Sequence, residues 1–358
     1  MKLIVSITLA LTLLITQAPA SEVDRTADRK SVLITGASSG LGRATAEHLA
    51  AEGYFVYAGA RKDKDLHELN QLENVMAVRL DVTDQDQIDA AVKLIEEQGS
   101  GLWGLVNNAG VGDLAPLIAA DVEEIQFVFN VNVIGVFRVT KAFAPLIIES
   151  KGRIVNISSI SGVLSVGTAG MYAGSKHAVE AMTDSLSEEL QDFGVHVSAV
   201  NPGGFRSEID ATSCKRMLAD TDADWGLFEK RRQEMLDDCR RSVQPSSSTR
   251  GMPPIEMVSA VQHALFDASP RSRYMVVSKQ IEAADTIVQA TKELLRINVG
   301  HNHSYTRDEI VGLIDDMWPY IDGEKSWATV EDEYAFIDAW DAELSKKRMA
   351  PDQTSEDQ

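Results

Sequence analysis

Tyr172 and Lys176 stand four residues apart in Tyr-Ala-Gly-Ser-Lys, and Ser159 lies thirteen residues before the tyrosine. Positions i and i+4 of a helix share one face. A phenol and an ammonium on that face can hand a proton to a bound oxygen and take it back, because the cation stabilises the phenolate. A neutral tyrosine by itself is too weak an acid for the task. A serine hydroxyl is a suitable donor to a developing alkoxide. Ser158 adjoins Ser159, and the offset to Tyr172 selects Ser159.

A second group of residues would hold a phosphorylated cofactor. Thr35-Gly36-Ala37-Ser38-Ser39-Gly40-Leu41-Gly42 joins an apolar run to a helical pattern. Its glycines allow a tight turn and close approach of backbone to a pyrophosphate, which the helix N-terminus then binds. At the end of the second apolar run, Ala60 is followed by Arg61 and Lys62. A carboxylate there would bind ribose hydroxyls and repel a 2′-phosphate. Cations without that carboxylate favour NADP(H). Asp81, with Val82 beside it, follows the third run and can accept from an adenine amino group. Asn107-Asn108-Ala109-Gly110 follows the fourth, where a small turn lets a cofactor pass close to the backbone. With Tyr172 and Lys176, these motifs signal nicotinamide redox chemistry.

The same glycine-rich string contains Gly36-x-Ser38-x-Gly40, the pattern of a hydrolase nucleophile elbow. That reading needs a histidine from His263, His301 or His303, and nothing in the sequence supplies an oxyanion hole. A third reading is a catalytically idle NADP(H)-binding or interaction protein.

The elements that position these residues alternate. Apolar runs at Ser31–Thr35, Tyr54–Ala60, Val75–Leu80, Gly104–Asn107, Arg153–Ser158, Val195–Val200 and Arg273–Ser278 read as strands. Between them lie helical patterns at Arg43–Glu52, Gln85–Gln98, Val122–Leu146, Tyr172–Phe193 and Ile255–Phe266. This predicts an α/β fold with a doubly wound, mostly parallel sheet of seven strands and helices on both faces. The motifs fall at the C-terminal strand ends, where such sheets bind ligands.

Residues 204–250 break the rhythm and read as a substrate lid within a domain spanning 21–279. Residues 280–358 form an acidic helical extension with Trp318, Trp327 and Trp340, and Met349–Gln358 reads as disordered. In residues 1–20, Lys2, the apolar run Leu3–Ile15 and Ala18-Pro19-Ala20 read as a secretory signal peptide, with an uncleaved membrane anchor as the rival. No twin-arginine pair is present. The chain is thus expected to be exported, or else membrane-attached through residues 1–20.

The 358 residues carry 44% hydrophobic side chains, enough for a core, and a formal net charge of −20. That charge argues against a nucleic-acid partner. No metal site is expected. The two cysteines, Cys214 and Cys239, are either one bridge or two free thiols.

Taken together and in order, Thr35–Gly42, Asn107–Gly110, Asn132, Ser159, Tyr172 with Lys176, and Asn201-Pro202-Gly203 make the chain resemble the short-chain dehydrogenase/reductase family over residues 31–278. The resemblance implies a Rossmann-type fold in which Tyr172 transfers the proton and Ser159 polarises the carbonyl. It implies that Lys176 bonds the nicotinamide ribose and that Asn132 supports a water path to Lys176. Pro202 and Gly203 would border the nicotinamide. The family usually carries a threonine shortly after this Pro-Gly; here Ser207, or the backbone alone, would bind the carboxamide. The Pro-Gly-x-Phe-Arg stretch and long lid are similar to retinol and hydroxysteroid dehydrogenases. The expected reaction interconverts a hydrophobic secondary alcohol and its carbonyl with NADP(H). The family's long helices imply a homodimer or homotetramer.

Overall fold

The computed structural model describes residues 30–205, 208–243, 255–321, 325 and 330–349. The readings of residues 1–20, Ser207, Trp327 and 350–358 lie outside the described residues.

Seven strands form one sheet in the order β3-β2-β1-β4-β5-β6-β7, and every neighbouring pair is parallel. The strands are β1 Ser31–Ile34, β2 Phe55–Ala60, β3 Val75–Arg79, β4 Gly104–Asn107, β5 Arg153–Ile157, β6 His196–Pro202 and β7 Arg273–Val276. Expectation and structure differ by a residue or two at strand ends. The sheet is wholly rather than mostly parallel. Its strands are near-continuous apolar runs because both faces are covered; all four residues of β1 and of β4 are buried.

Helices fill the crossovers: α1 Gly40–Ala51, α2 Asp63–Leu69, α3 Gln85–Gln98, α4 Val122–Phe129, α5 Gly135–Glu149, α6 Gly170–Gln191, α7 Ile209–Ala219, α8 Glu229–Ser242 and α9 Ile255–Phe266. Leu49, Met257, Val261 and Leu265 pack one face of the sheet. Ile88, Ile95, Val139, Phe143 and Ile147 pack the other. Strand order reverses at β1, which pairs with β2 on one side and β4 on the other. The crevice of a doubly wound sheet opens at that point.

The single helix expected over Val122–Leu146 is two α-helices joined by a π-helical turn at Asn130–Ile134. One residue is added to the turn, which rotates Asn132 into the core. The stretch Val122–Glu149 is long and apolar enough to cross a membrane by length and composition. Its buried residues Val128, Val139, Phe143 and Ile147 nevertheless pack in the protein interior.

The expected lid contains α7 and α8, and Cys214 of α7 is disulfide-bonded to Cys239 of α8. Trp225 and Met235 of this segment pack against Met171 of α6 and Ala115 of the loop after β4. The C-terminal extension forms α10 Gln280–Asn298, α11 Arg307–Ile321 and α12 Val330–Met349. Arg348 pairs with Glu309 at 2.8 Å, and the rings of Tyr305 and Trp340 lie 5.1 Å apart between centroids.

Candidate active site

At the C-terminal ends of the strands lies a cavity of about 470 Å³. One end is lined by Gly36, Ser38, Ser39, Gly40, Leu41, Ala60, Arg61, Asp81 and Val82; Asn108, Ala109 and Gly110 continue the wall toward Ser159, Tyr172, Lys176, Pro202 and Gly203. The sequence-predicted residues therefore share one continuous space. Asn132 stands behind its wall, and Thr35 and Gly42 stand behind the turn they shape.

The turn after β1 is built for close approach. Gly36 and Gly40 have φ of 65° and 56°, which β-carbons disfavour. A β-carbon on Gly36 would lie 2.9 Å from the Ala109 Cα, and one on Gly42 would collide with Asn108 and the Gly36 carbonyl. Thr35 Oγ1 accepts from the Asn108 and Ala109 amides, both at 3.0 Å, and so binds the second motif to the first. Ser39 is the N-cap of α1, yet its side chain makes no capping bond. The first amides of α1 remain open toward the cavity, with the positive end of the helix dipole behind them. Uncapped amides on a glycine cradle fit a pyrophosphate.

Beyond it, Arg61 Nη1 lies 3.5 Å from Asp81 Oδ2. Burial pushes the Asp81 carboxyl up, but two hydrogen bonds from Thr83 and the Arg61 charge outweigh it and hold the pKa below the usual value. Asp81 is therefore an ionised acceptor.

At the other end, Lys176 is buried in α6 and donates to the Ile157 carbonyl at 2.8 Å. Burial lowers its pKa to about 8, against the opposing charge of Glu180. Burial pushes the Tyr172 phenol up; its hydrogen bond with Ser159 pulls it down, and the Asp210 charge pushes it up again. The net direction is up, so the phenol carries its proton at neutral pH. The Lys176 ammonium stands 5.7 Å from the centroid of the Tyr172 ring. Ser159 Oγ accepts from the Ser161 amide at 3.1 Å, which fixes the hydroxyl at the start of a short turn. Asn132 accepts from the Val111 amide at 2.8 Å and donates to the Val111 carbonyl at 2.9 Å and to Ser175 Oγ at 3.0 Å. It thus pins the loop after β4 to α6.

The hydrolase alternative is not assembled among the described residues. His263 bonds Tyr274 at 2.8 Å and faces Asp267, and His301 Nδ1 accepts from the His303 amide. None of the three reaches Ser38, which lines the Arg61 end of the cavity instead.

Sequence reasoning missed several groups. Arg216 of α7 donates to the Gly112 carbonyl and lies 3.7 Å from Asp113, latching the lid onto the loop after β4. Glu180 accepts from Asn201 Nδ2 at 2.5 Å and pairs with Arg273 at 2.7 Å. Asp210, Asp113 and Ser161 line the cavity beside Tyr172. Glu180, Asp210 and Arg216 are charges on helices whose partners lie on other elements, so no local pattern marks them.

The short chain dehydrogenase family model matches residues 30–217. The chain belongs to that family. Bovine mitochondrial D-beta-hydroxybutyrate dehydrogenase is 36% identical over 270 residues, covering 68% of this chain and 76% of its own. Human retinol dehydrogenase 16 is 34% identical over 255 residues, covering 68% and 80%. Among solved structures, a short-chain dehydrogenase/reductase from Burkholderia phymatum in complex with NAD has a TM-score of 0.61 at 26% identity, covering 78% of this chain and 99% of its own. Short-chain dehydrogenases of this kind are nicotinamide-dependent oxidoreductases acting on CH–OH groups, and so is this protein.

Proposed function

We propose that the enzyme prefers NADP(H) and interconverts a neutral, largely apolar secondary alcohol and its carbonyl, with Tyr172 as the acid and base. The observation that carries the proposal is the single cavity that runs from Arg61 to Tyr172. The backbone of 35–42 and the first amides of α1 would hold the pyrophosphate, Asp81 the adenine, and Arg61 a 2′-phosphate. Asn108–Gly110, Lys176 and Pro202–Gly203 would hold the nicotinamide riboside.

When bound, the nicotinamide supplies or accepts the hydride. The protein does the rest. Ser159 donates a hydrogen bond to the carbonyl oxygen and polarises it. Tyr172 gives its proton to that oxygen as alkoxide character develops, and takes one back in oxidation. Lys176 replenishes positive charge behind the phenol; with its pKa lowered to about 8, its ammonium is held close to proton loss. Asn132 holds the loop after β4 against α6, the helix that carries Tyr172 and Lys176.

The substrate side of the cavity is lined by Leu114, Phe205 and Ile209 together with Asp113 and Asp210. The apolar groups favour a hydrophobic body, in keeping with the retinol dehydrogenase relative. The carboxyls disfavour an anionic hydroxy acid, which separates this site from the one implied by the bovine relative's name. We assign the Cys214–Cys239 bridge to an oxidising compartment, in keeping with export directed by residues 1–20. Activity on neutral ketones of increasing apolar size, compared with 3-oxo acids, tests the substrate assignment. Faster turnover of the acids contradicts it.

A further inference from the structure

The C-terminal extension begins with α10, and its first-turn residue Glu282 reaches back to the cavity wall. Glu282 Oε1 accepts from the Gly204 amide at 3.1 Å, and Oε2 accepts from the Ser278 amide at 3.1 Å and from Ser278 Oγ at 3.4 Å. A carboxylate in the first helical turn is favoured by the positive end of the helix dipole. Gly204 belongs to the loop after β6, and Pro202, Gly203, Gly204 and Phe205 all line the cavity. Pro202, the last residue of β6 before this loop, carries the carbonyl that accepts from Ser159 Oγ at 3.4 Å.

Two adjacent glycines in this loop have a specific explanation. Neither Gly203 nor Gly204 has a positive φ, so the backbone conformation does not require them. Close approach of the Glu282 carboxylate favours them, because a β-carbon at either position would displace it. A β-carbon on Gly203 would stand 2.7 Å from Glu282 Oε2, and one on Gly204 would stand 2.7 Å from Oε1. The glycine pair is the socket for the Glu282 carboxylate.

We propose that Glu282 is a positioning residue for the cofactor: by binding the Gly204 amide from outside, it sets the 202–205 loop against the nicotinamide end of the cavity. The C-terminal extension is thereby part of the cofactor site. This inference rests on the dinucleotide reading of the cavity. It goes beyond that reading by giving a residue outside the family-matched segment a role in the site.

The experiment uses the full chain and the fluorescence of NADPH on binding, with turnover and thermal unfolding read in parallel. Glu282→Ala raises the NADPH dissociation constant about tenfold, because binding must then order a loop that the carboxylate no longer holds. At saturating NADPH, kcat falls by less than the affinity does, because the bound cofactor restores the position of the loop. Glu282→Gln keeps an acceptor for the Gly204 amide and restores most of the affinity. Gly204→Ala weakens binding as Glu282→Ala does. The double variant binds no worse than Glu282→Ala alone, since the new methyl occupies the space the carboxylate leaves. Parent-like NADPH affinity in Glu282→Ala overturns the proposal, as does additive weakening in the double variant. Loss of affinity that Gln does not restore, accompanied by a lowered unfolding temperature in both variants, reduces Glu282 to a structural tie and also overturns it. If the parent itself binds no nicotinamide cofactor, the dinucleotide reading fails first, and that result is distinct from all the others.

Discussion

The buried Lys176 ammonium donates to the Ile157 carbonyl at 2.8 Å, joining α6 to the end of β5. The bond holds the cation near Tyr172 but does not remove the cost of burying it. The Lys176 pKa falls from 10.5 to about 8 as a result. The folded chain therefore binds fewer protons than the unfolded chain between about pH 8 and pH 10.5. Stability should rise with pH across that window, by up to ~3 kcal/mol. Below pH 8 the cost of the buried charge is present in full. Urea unfolding of the parent and of Lys176→Met from pH 7 to pH 10.5 checks it: the parent should gain relative to the variant as pH rises. A difference that does not change with pH contradicts a depressed Lys176.

Tyr172 keeps its proton because burial and Asp210 push its pKa up more than Ser159 pulls it down. Tyr172→Phe removes the proton and little else. Its turnover should fall by about 10²–10⁴-fold, while NADPH binding stays within about twofold by the same argument. Steady-state rates and a fluorescence titration measure the two effects separately. Undiminished turnover would exclude Tyr172 as the acid and base.

Arg61 faces Asp81 at 3.5 Å at the end of the cavity proposed to hold the adenosine. A 2′-phosphate there would gain a charge-assisted bond that NADH cannot make. Arg61→Ala should weaken NADPH binding by about tenfold or more and leave NADH within about twofold. Equal losses for both cofactors would refute the assignment of Arg61 to the phosphate.

The Cys214–Cys239 bridge ties the two lid helices, and α7 supplies cavity wall through Ile209 and Asp210. The bridge spans 25 residues of sequence separation. Its removal by Cys214→Ser with Cys239→Ser should lower stability by about 3 kcal/mol in the loop-closure picture. The KM of the alcohol should rise while the NADPH dissociation constant does not. Unfolding and kinetics of the double variant give both numbers.

The strands were legible in the sequence because parallel strands covered on both faces are unbroken apolar runs, as β1 and β4 show. The site motifs were legible because they sit at fixed strand ends. Other features depend on contacts that no local pattern encodes. The short helix α2 buries only Leu69 and has little apolar periodicity. The π-turn around Asn132 changes the helical count by one residue, which a periodicity of 3.6 cannot resolve. Cys214 and Cys239 could be read as paired or free until α7 and α8 were seen side by side. Glu282 meets Gly204 across 78 residues of sequence, and its role was hidden for that reason.

The most direct test of the account is a titration of the parent protein with NADPH and with NADH, followed by a panel of neutral ketones and loss of nicotinamide absorbance. The account predicts tight NADPH binding, weaker NADH binding and ketone-dependent oxidation of the bound cofactor. Preference for NADH would preserve the oxidoreductase and remove the Arg61 argument. Binding of neither cofactor would contradict the reading of the cavity itself.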